Sequence, residues 1–305
     1  MEDEEDMKRT HIPGIVDIVF SDDSSEFEEF ARDTRLDRAY PDHSLLTNRQ
    51  VLERVQHTLQ IGGEPFPTVA ARCAQGRAEA QTTLWQRLSA LAPALGSGPN
   101  EVESLAAFVR GQGDPGACGI LVQQVVGRIF APGFTGTPES WDAALVLDEA
   151  LRTINLAELA VWAISDKVDK AKQLLAGLVQ GDLAGVHAIG IAVHNIVSGV
   201  NLMRELYGDP SNRNALTAEA AATRCIVAPA FILRQPTATT PSAEGDLATS
   251  TLVVFNLQDA NAKAPNADLA FLRGTWSQCP AEQWAPALLA GIWRRACNSE
   301  AESST

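Results

Sequence analysis

The chain of 305 residues is short of basic residues, of aromatic residues and of paired cysteines. Lys plus Arg number 24 against 38 Asp plus Glu, a formal net charge of -14. That balance argues against nucleic-acid binding, whose electrostatic footprint is basic, and against attachment to anionic lipid through a basic patch. Part of the charge is local, because residues 1–6 (MEDEED) supply five acids. The five cysteines, Cys73, Cys118, Cys225, Cys279 and Cys297, are widely spaced and include no CxxC, so zinc-finger and thioredoxin readings fail. This usage predicts a reduced, cytoplasmic protein. The N-terminus is acidic and has no apolar signal core. P-loop, GxGxxG, GxSxG and HExxH signatures are all missing. The longest apolar stretch, residues 183–200, is interrupted by His187, His194 and Asn195. We read it as a buried helix rather than a membrane span.

What is present is a helix-rich pattern. Apolar residues make up 45% of the chain, enough for a sizeable core. Residues 1–12 read as an acidic flexible tail, 13–298 as one domain and 299–305 as a second tail. Residues 15–20 (IVDIVF) predict a short strand, and Ser24 or Ser25 then caps a helix to about Arg32. Helical patterns follow at 48–60, through the Ala-rich 69–95, and at 101–110, 117–130, 138–164, 166–180, 182–207 and 217–227. Beyond Pro229, residues 230–262 break into β-prone pieces, of which 249–257 (TSTLVVFNL) is the best strand. Residues 280–296 form a final helix with Trp284, Leu288, Leu289 and Ile292 on one face. The expected class is mainly α with a small β element.

His187 and His194 lie seven residues apart, two helical turns, so they share a face. No acid stands at matched spacing beside them, and buried, hydrogen-bonded histidines are the better reading than a metal pair.

The C-terminal third carries the strongest signal. A strand at 251–257 is followed by Ala260-Asn261, Leu269-Ala270-Phe271, Gly274, Cys279-Pro280 and a long helix. This order resembles the haem-binding end of cytochromes P450. Residues 224–234 (RCIVAPAFILR) are similar to that family's segment between a core helix and the sheet. The resemblance implies a mainly α, P450-like fold and a haem b cofactor with Cys279 as the iron ligand. It further implies that Arg224, Arg234 and Arg273 hold propionates, that Gly274 and Phe271 lie against the macrocycle, and that Trp276 covers its edge. Cys279 before a helix N-terminus suits a thiolate, and Arg forks suit carboxylates.

The chain also departs from the family pattern. The loop from Gly274 to Cys279 is one residue longer, Ala281 replaces a glycine, Ser277 replaces a His or Arg, and the Glu-x-x-Arg pair reads Ala221-x-x-Arg224, with Glu219 out of register. The distal helix, residues 182–207, lacks the acid–Thr pair that delivers protons to oxygen. Its polar candidates are His194, Asn195 and Ser198. Family relatives that rearrange fatty-acid hydroperoxides share an Asn on this helix and a lengthened Cys loop. The resemblance therefore points to peroxide or hydroperoxide chemistry on a small or lipid-like organic substrate, with His194 as acid–base group and Asn195 orienting the O–O bond. Two alternatives stay open: a monooxygenase fed by a redox partner, and a P450-like protein that has lost haem and binds a partner or ligand.

Overall fold

The computed structural model describes residues 8–95, 100–152, 165–242, 245–263 and 266–303. They cluster into two compact units. One comprises Met1–Ala78, Glu149–Asp166 and Ala228–Gln278; the other comprises Glu79–Asp148, Lys167–Val227 and Cys279–Thr305.

The first unit is built on a five-stranded sheet, β1 (Lys8–Ile12), β2 (Val16–Ser21), β3 (Leu36–Asp37), β6 (Ile232–Pro236) and β7 (Leu252–Phe255), in the order β1-β2-β7-β6-β3. A separate hairpin pairs β4 (Gln60–Ile61) with β5 (Glu64–Pro65). The strand expected at 15–20 is therefore present. It does not begin the fold, however: Lys8–Ile12 pairs antiparallel with it, so this part of the expected tail is ordered sheet. Pro13 and Gly14 supply the turn between them.

β2 runs parallel to β7, with Ile18 opposite Leu252, and β7 runs antiparallel to β6, with Val253 opposite Arg234. The helix Ser24–Arg32 begins one residue earlier than the serine caps predict. Asp23 is the cap, accepting from Ser25 N at 2.7 Å and Glu26 N at 3.1 Å. Phe27 and Phe30 of this helix close on Phe255 of β7, with ring centroids 5.1 and 5.8 Å away. The helix Leu46–Thr58 buries Val51, Leu52 and Val55 with Tyr40, Leu233 and Leu252.

Asp17 and Asn48 are the polar pins of this unit. Asn48 Nδ2 donates to the carbonyls of Asp17 and Ser250, each at 2.8 Å. The buried Asp17 carboxylate accepts from Arg9 Nε and Nη2 at 2.9 and 3.0 Å and from Thr251 Oγ1 at 2.6 Å. Burial alone would raise this carboxyl, but the bonds from Arg9 and Thr251, with the Arg9 charge, outweigh it and hold it below its ordinary value.

The second unit is helical: Arg77–Leu95 (from residue 79), Asn100–Val109, Cys118–Phe130, Pro138–Arg152 (to residue 148), Lys167–Leu178, Leu183–Gly208, Pro210–Ala215, Ala218–Arg224 and Ala285–Ser303. The Ala-rich run from 69 yields a helix only from Arg77, because residues 71–76 turn instead. Residues 153–164 of the helix expected at 138–164 lie outside the described residues. The helix Leu183–Gly208 is long and apolar enough to cross a bilayer, and 61% of its most apolar window is buried inside the protein. Gly199 lets it approach the end of Ala218–Arg224: a Cβ there would stand 2.3 Å from the Cys225 carbonyl oxygen.

Two further expectations change. Residues 257–263 and 267–270 are short helices within the segment read as β-prone pieces and loop. The final helix is interrupted: Pro280–Gln283 is a 3₁₀ turn, Trp284 breaks the run, and the α-helix proper is Ala285–Ser303, which continues through most of the expected C-terminal tail.

Candidate functional site

The segment leading to Cys279 is a tightly specified loop. Asn266 caps the helix Ala267–Ala270, accepting from Asp268 N at 2.8 Å. The chain then passes through left-handed backbone at Leu272 (φ 54°) and again at Gly274 (φ 74°). A branched side chain in that region is strained, whereas glycine is not. Thr275 ties the loop to itself, its Oγ1 donating to the Leu272 carbonyl at 2.8 Å and accepting from Ser277 N at 3.2 Å. A Cβ on Gly274 would meet open space, so this edge of the loop is bare backbone. Phe271 is buried at its start. Cys279 is half-buried and stands at the N-cap of the turn Pro280–Gln283, with Pro280 at the first position as predicted. The turn is four residues long, so the dipole expected behind Cys279 is that of a single turn.

Three residues before Cys279, the Trp276 ring gathers three guanidiniums. Arg38, Arg77 and Arg234 place Cζ 5.5, 4.9 and 5.0 Å from its centroid. Arg234 and Arg77 are both buried. Arg234 donates to the Leu233 carbonyl at 2.8 Å and to Ser277 Oγ at 2.9 Å. Arg77 donates to the carbonyls of Ala70 at 3.1 Å and Trp276 at 3.0 Å. Neither forms an ion pair with a carboxylate of the described residues. The nearby Asp37 instead accepts the backbone N–H of Arg38 at 2.6 Å and of Arg72 at 2.8 Å. Burial and the Arg38 charge hold Arg234 well below its ordinary value, against the opposing pull of Tyr40 and Asp37. Burial likewise lowers Arg77. Tyr40, in left-handed backbone at φ 47°, donates its hydroxyl to the same Leu233 carbonyl at 3.2 Å. The cluster is a cage of guanidiniums whose two buried members hydrogen-bond no carboxylate among the described residues.

This arrangement sorts the expected residues. Arg234 and Trp276 are brought together, and Ser277, noted only as a replacement, is the hydroxyl that holds Arg234. Arg273 is not part of the cage. It is half-exposed and pairs with Asp268 within its own loop. Arg224 lies exposed in the last turn of Ala218–Arg224. Ala221 of that turn is fully buried, and Glu219 pairs instead with Arg294 at 3.0 Å. Arg38 and Arg77 were missed. The signal available was weak: Arg77 follows Gly76 at a helix start, and Arg38 neighbours the acid Asp37.

The helix Leu183–Gly208 holds a second polar cluster. Its turn Ala188–Ala192 is a π-turn, a form concentrated at functional sites. His194 is buried, with Nε2 3.1 Å from the Ala144 carbonyl oxygen and its ring 5.0 Å from that of Trp141. The Ala144 carbonyl thus occupies one ring nitrogen of the expected acid–base group. Asn195 is half-buried. Sequence reading also missed Gln123, which is fully buried against this turn.

No protein-family model matches the chain, and no curated protein sequence matches it. Solved structures do. The chain is similar to P450BioI in complex with hexadec-9Z-enoic acid ligated acyl carrier protein, at 14% identity and a TM-score of 0.61 over 97% of this chain and 88% of that one. It is similar to CYP175A1 from Thermus thermophilus, at 14% identity and a TM-score of 0.62 over 95% and 83%. It is similar as well to a variant of cytochrome P450 OleT in complex with arachidonic acid, at 9% identity and a TM-score of 0.62 over 94% and 82%. Identities this low carry the fold alone, and with the helical architecture and small sheet they show that this chain has the cytochrome P450 fold.

Proposed function

We propose that the chain is a haem-thiolate enzyme that acts on a lipid-like organic substrate through peroxide or hydroperoxide chemistry. The observation that carries the reading is the pair of buried arginines, Arg77 and Arg234, that pair with no carboxylate among the described residues and lie against Trp276, which stands three residues before Cys279 in the chain. A buried charge of this kind costs several kcal/mol unless something neutralises it. A flat macrocycle with two carboxylates answers that requirement, and the bare backbone at Gly274 and the half-buried thiol of Cys279 suit its face and its iron.

Haem b bound in this way would supply a thiolate-ligated iron able to open an O–O bond. Cys279 would be its protein ligand. Arg234 and Arg77, with Arg38, would take the propionates as charge-assisted pairs, and Ser277 keeps the Arg234 fork in place. Phe271 and Trp276 would exclude water from the ring. On the substrate side we assign Asn195 to orienting the O–O bond, with His194, whose Nε2 lies against the Ala144 carbonyl, as the acid–base group. The lack of a proton-delivery pair favours a substrate that arrives with its O–O bond already made. The fatty-acid ligands of two structural neighbours support a lipid-like substrate.

The test is an absorption spectrum of the purified protein, oxidised and then reduced under carbon monoxide, beside Cys279→Ala. A red protein whose thiolate-type carbonyl band disappears in the variant is expected. Turnover of lipid hydroperoxide without a reductase would then separate this activity from a monooxygenase, which consumes oxygen only with a redox partner.

A second reading is favoured by the buried Ala221 and the single turn behind Cys279: a haem-free protein that uses the same cage for another anionic ligand. A colourless protein that also refuses added hemin is the result that selects it.

A further inference from the structure

Gln123 lies in the middle of the helix Cys118–Phe130 and is fully buried. Its Nε2 donates to two backbone carbonyls, Ser140 at 2.9 Å and Ile189 at 3.0 Å. Its Oε1 accepts from Ser140 Oγ at 2.6 Å. Ser140 is itself fully buried; its one hydroxyl proton goes to Gln123 at the shorter distance, its Oγ accepts from Thr137 N at 2.9 Å, and the Thr137 carbonyl oxygen lies 3.0 Å away. One amide thus joins three helices, and every side-chain polar atom of the pair has a partner.

The choice of Ile189 has a backbone reason. In an α-helix the Ile189 carbonyl would accept from Val193 N–H, four residues on. Here Val193 N–H reaches back to Ala188, five residues away, because Ala188–Ala192 is a π-turn. The extra residue takes the Val193 donor away from Ile189, and the loss of a donor at a buried carbonyl is costly. Gln123 supplies that donor. The inserted residue also rotates everything after the turn by about 100° relative to an uninterrupted helix. That rotation decides which way His194 and Asn195 point.

We propose that Gln123 is a positioning residue that pins the π-turn of the helix Leu183–Gly208 and so fixes the orientation of Asn195. The pinning stands on geometry alone; its consequence for chemistry rests on the haem reading above. In this account a protein amide does the work of holding the helix bulge open. Mutating Gln123 releases the bulge without touching haem, substrate or any reacting atom.

The experiment uses the full chain and three variants. Gln123→Met keeps the length and apolar volume but removes both donor and acceptor. Ser140→Ala removes only the hydroxyl that steadies Oε1. Gln124→Met is the control: the neighbouring Gln124 donates to the Phe134 carbonyl and accepts from Gly136 N, away from the π-turn. Amide hydrogen exchange over residues 189–195 is compared with that of Ala285–Ser303 in the same sample. Exchange in the π-turn is expected to rise on the order of tenfold or more in Gln123→Met, less in Ser140→Ala, and not in Gln124→Met. Unchanged exchange in Gln123→Met overturns the proposal, and so does an equal rise in Gln124→Met.

Hemin-loaded samples are then titrated with imidazole and followed by their spectral shift. A weakened or altered shift in Gln123→Met supports the full proposal. Faster exchange with an unchanged imidazole titration overturns the link to Asn195 while the pinning holds. If the chain takes no hemin, the haem reading fails and the exchange data alone decide the pinning.

Discussion

Two buried polar clusters in this chain are built on opposite terms. Around Gln123 each donor and acceptor is matched within the protein, from the Ile189 carbonyl to the Ser140 hydroxyl. Around Trp276 three guanidiniums collect, and the two most buried meet only carbonyl and hydroxyl oxygens. The first cluster is complete, and its role is to hold a backbone shape. In the second, the two most buried arginines pair with no carboxylate among the described residues, which is the observation behind the proposed anion. Satisfied networks identify scaffold, whereas uncompensated charge identifies a binding site.

The contrast makes opposite predictions for substitutions of similar burial. Removing the Gln123 amide strands a buried carbonyl and a buried serine, so Gln123→Met should lower stability by about 3 kcal/mol in denaturant unfolding of the ligand-free chain. Asp17 is a complete cluster in the same unit as the arginine cage. Asp17→Asn should cost about 2 kcal/mol at neutral pH. Its sign with pH follows from a carboxyl held below the ordinary value of 3.8. The stabilisation is fully present above that value and is lost as pH falls through the lower folded-state value. The wild-type chain should therefore lose stability below about pH 4 more steeply than Asp17→Asn does. Gly274→Ala meets open space and is penalised only for its left-handed backbone, about 1 kcal/mol. Arg234→Leu is the smallest effect and the most telling. It removes a buried charge that no carboxylate among the described residues hydrogen-bonds, so the ligand-free chain should be unchanged or more stable, within about 1 kcal/mol, while hemin binding weakens on the order of tenfold to a hundredfold. A large loss of stability in the ligand-free Arg234→Leu chain would erase the distinction between the two clusters.

The sequence was informative where the chemistry is local. The alternation of residues 15–20, the β-branched run before Phe255, and the helical start at Pro280 each lie within a few residues, and each appears in the fold close to its expected place. The class, mainly α with a small sheet, followed from the same local patterns. The cage did not, because Arg38, Arg77 and Arg234 come from three distant segments and meet only through the sheet and the turn before Arg77. Nor did the placement of Arg273 and Arg224 outside the cage. An arginine beside a suitable acid, such as Asp268, is captured by it, and no motif records which arginine remains without one. The π-turn was equally hidden, since an inserted residue inside an apolar run leaves no periodicity to read. Its trace is a polar pair, Gln123 and Gln124, in the middle of the largely apolar helix Cys118–Phe130.

The central claim is that the arginine cage is completed by the carboxylates of a bound macrocycle. The direct measurement is equilibrium binding of hemin to the full chain beside binding of hemin dimethyl ester, which has the same ring and iron but no carboxylates. The account predicts that hemin binds tighter on the order of a hundredfold, and that Arg234→Leu narrows the gap. Equal affinity for the two, in the wild-type chain, would contradict it.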